Sequence, residues 1–275
     1  MLNLLSIEYS KVKNYATFWV ILIIYAILIP LVAWGISAIH FELPGPPEAG
    51  GDEWSGSSLF HFSGVWNTVT WIASWFNILL GILIVLIICN DFNYRTFKQN
   101  VIDGLSKKQV IASKFIFLVM LGIAVTLYTF LVSLLFGLIF SESINIFDNV
   151  YYVGIYFMQT IGYFTTAFLL AILIKRTALS IVIFVVAFVF KFIFYFALGE
   201  TISQFFPINL FSDLTPFPLP FLTALIDINP DPEAQKQGMD ALDIMISQPV
   251  KTMVAAIYIA IFVFISNFIL KKRDL

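Results

Sequence analysis

Three observations predict an all-α integral membrane fold with six transmembrane helices. Hydrophobic residues make up 60% of the 275-residue chain and charged residues only 12%, with a mean hydropathy of +0.94, outside the range of water-soluble domains. Six apolar runs, at 16–39, 66–90, 115–140, 150–174, 177–198 and 252–270, each supply the about 20 residues that cross roughly 30 Å of hydrocarbon. The few charges fall between these runs, and only Lys191 lies inside one. A closed β-barrel would instead show short segments of alternating polarity, and none is present.

The elements follow in chain order. Residues 1–15 place Leu2, Leu5, Tyr9 and Val12 on one stripe and Asn3, Ser6, Ser10 and Lys13 opposite, the pattern of a helix lying in the membrane interface. The first span, 16–39, is too long for a signal-peptide core of about 7–15 residues and is expected to be retained. Residues 40–65 carry "ELPGPPEAGGDEWSGSS", rich in turn formers and acid, and read as a surface loop. His40 and His61 lie there among Glu42, Glu48, Asp52 and Glu53, in a spacing that matches no metal site. Cys89 is the single cysteine, so no intramolecular disulfide can form.

After the second span comes "NDFNYRTFKQNVIDGLSKKQVIASKF" at 90–115. Phe97, Val101 and Leu105, with Tyr94 and Ile102 beside them, share one helical side, while Arg95, Lys98, Gln99 and Asp103 fall largely on the other. Gly104 ends this run and Ser106 can cap the next helix. The pattern alone serves two uses equally: an amphipathic helix in the lipid headgroup layer, or one tethered closely enough to spans two and three to transmit a push.

The stretch 202–226 is apolar enough to tempt a seventh span. Pro207, Pro216, Pro218 and Pro220 break helical hydrogen bonding and Asp213 is costly in lipid. Short re-entrant helices dipping into the outer leaflet, or packing on protein near it, are therefore expected between spans five and six, over 199–251, followed by span six at 252–270 and a cytoplasmic tail at 271–275.

Charge sets the orientation. With the N-terminus inside, twelve basic residues fall on inner segments (Lys11, Lys13, Arg95, Lys98, Lys107, Lys108, Lys114, Lys175, Arg176, Lys271, Lys272 and Arg273) and only Lys236 and Lys251 fall outside or at the boundary. Four acids lie inside and thirteen outside. This bias predicts a multi-pass plasma (inner) membrane protein with both termini cytoplasmic, built as a single transmembrane domain over 1–275.

Within the spans, Asn67, Thr70, Ser74 and Asn77 line one face of span two, running on to Gly81. The face serves equally as a polar translocation path or protomer interface, or as plain helix packing. Spans three and four carry similar small and hydroxylated residues, read as packing. Lys191 lies seven residues from the outer end of its span, close enough to snorkel or to pair with an outer acid such as Glu200; in a functional role it would attract an anionic group.

These residues carry a resemblance. The interfacial helix, six spans, inner amphipathic helix and long outer loop, with Asp91, Arg95, Thr96, Gly104, Ser106, Lys107 and Lys114 in the inner segment, resemble the ABC-2 type permeases, the membrane subunits of ATP-binding-cassette exporters. That family often shows an acid, a Gly-Thr pair, a Ser-Arg pair and a Lys at similar offsets; Arg95 stands for the usual Gly and Lys107 for the usual Arg. The resemblance implies that 92–105 is a coupling helix seated in a separate ATPase, with Tyr94, Arg95, Phe97, Lys98, Val101, Ile102 and Leu105 as contacts. Phe97 and Val101 would be the apolar anchors, with Arg95 and Lys98 as rim charges. It further implies a second permease protomer, identical or not, and surrounding lipid, with no nucleic-acid partner.

The sequence holds no G-x-x-x-x-G-K-[ST] phosphate loop, so ATP and magnesium would belong to the partner ATPase, and this chain is expected to bind no cofactor or metal and to have no catalytic residues. An intramembrane enzyme would need His, Glu or Asp within the spans, which hold none. An ion-coupled carrier usually buries acids or repeats its fold. Both signs are missing here, although neutral oxygens can hold Na⁺, so the alternatives are a non-transporting scaffold or accessory subunit and, after it, an ion-coupled carrier.

Overall fold

The computed structural model describes residues 2–42, 53–62, 64–141, 145–189, 191, 193, 199, 202–218 and 247–272. Its helices are α1 (Leu2–Lys13), α2 (Ala16–Ser37), α3 (Val65–Asn93), α4 (Thr96–Ile102), α5 (Lys107–Phe140), α6 (Tyr151–Ile174), α7 (Thr177–Val189), α8 (Pro207–Ser212) and α9 (Gln248–Lys272). Five of these, α2, α3, α5, α6 and α9, are long and apolar enough to cross a membrane. The sequence predicts six. The fifth predicted run is described as helix α7 over 13 residues, about 20 Å at 1.5 Å per residue, and most of its continuation lies outside the described residues.

The spans run alternately up and down. The ends of α3 and α6 and the starts of α5 and α7 share one end of the bundle with α1 and α4, here called proximal. There Asn93 Nδ2 donates to Thr177 Oγ1 at 3.2 Å, and Lys175 lies 5.2 Å from the centre of the Phe92 ring. At the distal end the chain is not wholly helical. Strands β1 (His40–Glu42) and β2 (Glu53–Ser55) pair antiparallel, Phe41 opposite Trp54. The following 3₁₀ turn, Gly56–Phe60, packs inward, so the second half of the expected surface loop is part of the core. A Cβ at Gly56 would stand 2.0 Å from the Ile36 carbonyl oxygen, which is why the turn can close on α2 only with glycine there. Phe60 and Phe62 are buried, Phe60 against Phe136 and Phe140 of α5. The segment between the two strands lies outside the described residues.

Helices α3 and α6 form the centre and α2 and α9 the periphery: 72% of the most apolar stretch of α6 is buried, against 17% for α9. The outer faces are lipid-compatible, as in α2, where Trp19, Ile23, Ile27, Leu31 and Trp34 are exposed in steps of three and four. Pro30 lies inside α2. Lacking an N–H, it leaves the Ala26 carbonyl without its helical donor, and the Tyr128 hydroxyl of α5 donates to that oxygen instead.

The Asn67–Asn77 face is turned into the bundle. Asn77 is fully buried; its Oδ1 accepts from Tyr156 Oη at 3.0 Å and Thr160 Oγ1 at 3.4 Å. Tyr156 in turn bonds the Tyr25 hydroxyl, which lies 3.3 Å from Thr129 Oγ1. Four helices are thereby tied by side-chain hydrogen bonds. Thr70 and Ser74 bond back to the carbonyls of Trp66 and Trp71 at 2.6 and 2.7 Å, as hydroxyls do in apolar helices. Asn67, Thr70, Ser74 and Asn77 are all buried within this chain.

Helix α8 begins with Pro207 in its first turn, where the missing N–H costs no hydrogen bond. Phe211 is fully buried against Gly162, eleven residues or about 16 Å along α6. Gln159 fastens the same segment, donating to the Ser212 carbonyl at 3.2 Å and accepting from Thr215 Oγ1 at 2.9 Å. Asn209, Leu210, Phe211, Leu214 and Thr215 are thus buried in the bundle, covered by protein as irregular backbone must be in hydrocarbon, while Ile202, Phe205 and Phe206 before them are exposed. The remainder of the expected re-entrant segment, 219–246, lies outside the described residues.

Candidate functional site

The proximal end is organised by four charged side chains from three helices. Glu8 of α1 is 1% exposed, Asp91 of α3 is 6% and Lys114 of α5 is 1%. Lys114 Nζ bridges the carboxylates of Glu8 and Asp91, and Lys11 stands 3.5 and 3.6 Å from the same two groups. Two acids and two bases make the cluster formally neutral. Neutrality matters because an ion taken out of water is strongly penalised unless paired and hydrogen-bonded. Ser113 Oγ lies 3.5 Å from Glu8 Oε1.

Sequence builds this cluster from helix ends. Glu8 shares the face of Val12, which is 4% exposed, whereas Tyr9 is 55% exposed. Of the predicted Leu2–Leu5–Tyr9–Val12 stripe, Val12 faces inward and Tyr9 outward, with the acid Glu8 inward in its stead; the side chains of Leu2 and Leu5 lie outside the described residues. Asp91 reaches the cluster because α3 continues to Asn93, three residues past the predicted end of span two. Lys114 stands two turns into α5, whose start is fixed by a capping box: Ser106 Oγ accepts from Gln109 N at 3.3 Å and Gln109 Oε1 accepts from Ser106 N at 2.9 Å.

Helix α4 hangs from this cluster. Thr96, its first residue, donates through Oγ1 to Asp91 Oδ1 at 2.6 Å. Arg95, just before it, has φ +55° and Gly104, just after it, φ +97°. Both are left-handed positions that glycine fills most readily. The expected 92–105 helix is consequently shorter, seven residues between two elbows, with Asn93 in α3 and Tyr94 capping it.

The predicted contact residues part company. Tyr94 is 76% and Ile102 82% exposed; Arg95 is also exposed and Leu105 intermediate. Phe97 is 2% exposed, its ring stacked on Phe92 at 4.8 Å with Lys114 Nζ 5.8 Å from its centre. Its ring is thus occupied by this chain's own packing rather than offered as an anchor, a correction to the expected apolar grip. The side chains of Lys98 and Val101 lie outside the described residues.

Glu8, Lys11, Asp91 and Lys114 were not expected as a unit. One local signal exists: an acid at position 8 on the apolar side of α1. Lys191, the remaining predicted candidate, pairs with Asp213, Nζ to Oδ1 2.9 Å, and with Ser212 Oγ at 3.0 Å. An outer acid was anticipated as its partner; Asp213 fills that role, and Glu200 lies outside the described residues.

Comparison with known proteins agrees with this architecture. An 80-residue stretch is 39% identical to the uncharacterized protein YhcI of Bacillus subtilis strain 168, covering 28% of this chain and 25% of that protein. The match therefore spans about a quarter of the relative's length. Residues 4–199, taking in α1 and the clustered charges around α4, match the family described as ABC-2 family transporter protein. The chain belongs to the ABC-2 family of multi-pass transporter membrane proteins.

Proposed function

We propose that the chain is the permease subunit of an ATP-driven exporter in the plasma membrane, with its proximal end in the cytoplasm and a separate ATPase seated against α4. The ATPase would hold ATP and magnesium, and a second permease protomer would complete the membrane assembly. The carrying observation is the two-sidedness of α4. One side is fastened inward by Phe97 and by the Thr96–Asp91 bond. Outward stand Ile102, its last residue, and Tyr94, which caps α3 just before the elbow, both large apolar side chains more than three-quarters exposed, and Arg95 at the elbow is exposed as well.

A helix held this way moves only by carrying its supports with it. Displacing α4 pulls on Asp91, and through Lys114 and Glu8 on α5 and α1. Such a linkage supports a role in passing partner movement to the spans, more than a helix resting in headgroups would require. Exposed apolar anchors dominate contact energy when a partner desolvates them, so Tyr94 and Ile102 are the residues expected to matter.

The test is co-purification of the full chain with its cognate ATPase. Tyr94→Ala combined with Ile102→Asp should reduce ATPase retention at least about tenfold, the scale of losing one strong anchor, while membrane yield and melting temperature stay at wild-type values. Unaltered retention and ATP turnover would remove α4 as the docking element and favour its use as a membrane-surface helix.

A further inference from the structure

The distal end holds a second charge cluster of different character. Asp213 caps α8 and its side chain is 49% exposed; Lys191 already neutralises it at 2.9 Å. A second lysine, Lys251, belongs to α9, which packs against α8 through Phe262 and Phe211. Lys251 is only 6% exposed, yet among the described residues it makes no ion pair within 4 Å. Its position compounds the difficulty. It sits in the first turn of α9, the end at which a helix dipole makes the potential positive.

Gln248 precedes Lys251 by three residues and so shares its face of the helix. The Gln248 Oε1 atom is buried and has no hydrogen-bond donor. Among the described residues, two lysines and a helix N-terminus therefore accompany the Asp213 carboxylate, with an acceptor that lacks a hydrogen three residues before Lys251. A lysine this buried is unfavourable without a counter-charge. The arrangement calls for an anion that also offers a hydroxyl.

The geometry points to a binding site at the start of α9 for a phosphate-bearing anionic group, its phosphate oxygens pairing with Lys251 beside Lys191 and its hydroxyl donating to Gln248 Oε1. A lipid headgroup is the source the surroundings favour. Val250, Met253 and Ile257, which follow the site along α9, are 44%, 69% and 55% exposed, and give acyl chains an apolar surface immediately beside the charges. This site does not depend on the direction of transport or on the ATPase contact proposed above.

The experiment compares the full chain in nanodiscs of phosphatidylcholine with and without phosphatidylglycerol, reading bound lipid by native mass spectrometry and stability by thermal unfolding. Wild type and Lys251→Arg should retain phosphatidylglycerol and melt higher in its presence. Lys251→Met should bind it about tenfold or more weakly, the scale of a lost hydrogen bond to a charged group, and show no lipid-dependent shift. In phosphatidylcholine alone, Lys251→Met should be at least as stable as wild type, because it removes an uncompensated buried charge. Soluble glycerol phosphate forms the second arm. If it reproduces the shift, the site takes a free phosphate ester; if only the lipid does, the headgroup is the ligand. Equal phosphatidylglycerol retention by Lys251→Met, or its destabilisation in both lipid mixtures alike, overturns the proposal.

Discussion

Lysines and carboxylates gather at both ends of this bundle with opposite results. The proximal cluster buries two acids and two bases together and fastens α1, α3 and α5 into one joint. The distal cluster keeps its ion pair half in solvent and leaves Lys251 buried beside it, outside any pair among the described residues. The difference lies in balance and exposure rather than in residue type. Balanced and dry, charge serves as a structural rivet. Unbalanced and partly wet, it leaves a valence that a ligand can fill.

Breaking the proximal joint should have the largest effect. Lys114→Met leaves Glu8 and Asp91 with Lys11 as their one base, a net negative charge out of water, and should cost about 3–5 kcal/mol, the scale of an orphaned buried ion pair. The loss is read as a fall in melting temperature of the detergent-solubilised chain. Adding Asp91→Asn should restore part of the loss, and a melting temperature untouched by Lys114→Met would mean that the cluster is not a joint at all. The distal pair should respond far less. Asp213→Asn removes a half-exposed carboxylate whose pairing contributes about 0–1 kcal/mol, so stability should hardly change; a loss as large as that of Lys114→Met would erase the contrast drawn here. The smallest effect is expected at the elbow. Arg95→Gly relieves a left-handed backbone but raises the entropy of the unfolded chain, and the two should offset to within about 1 kcal/mol in the same melting assay.

How much of this was readable beforehand differs by region. The long spans were legible because hydrocarbon demands unbroken apolar runs, and five of the six appear as helices of the required length. Periodicity also revealed that the segment after span two is amphipathic. It could not reveal which side faces the chain itself. Phe97 and Ile102 look alike as apolar residues, and only the presence of Phe92 and Lys114 beneath α4 separates a buried ring from an exposed one. The break at Arg95 was hidden for a related reason: arginine is a good helix former, and the left-handed turn there accompanies the Thr96–Asp91 bond rather than any local breaker. The proximal joint was the least legible part. Its members are separated by 106 residues between Glu8 and Lys114, and no local pattern encodes a partner that far away. Asn77 shows the converse, since a polar residue in a span looks the same whether it lines a path or locks onto Tyr156 and Thr160.

Pro30 has a mechanical implication. Its missing amide hands the Ala26 oxygen to the Tyr128 hydroxyl of another helix, and hydrocarbon offers no water to take over if that bond is pulled apart. Sliding α2 past α5 would strand a carbonyl in oil, so the two are expected to travel as a single rigid bar through any transport stroke. Relative motion must then be taken up elsewhere, and α9, the least buried of the long helices, is the natural moving part.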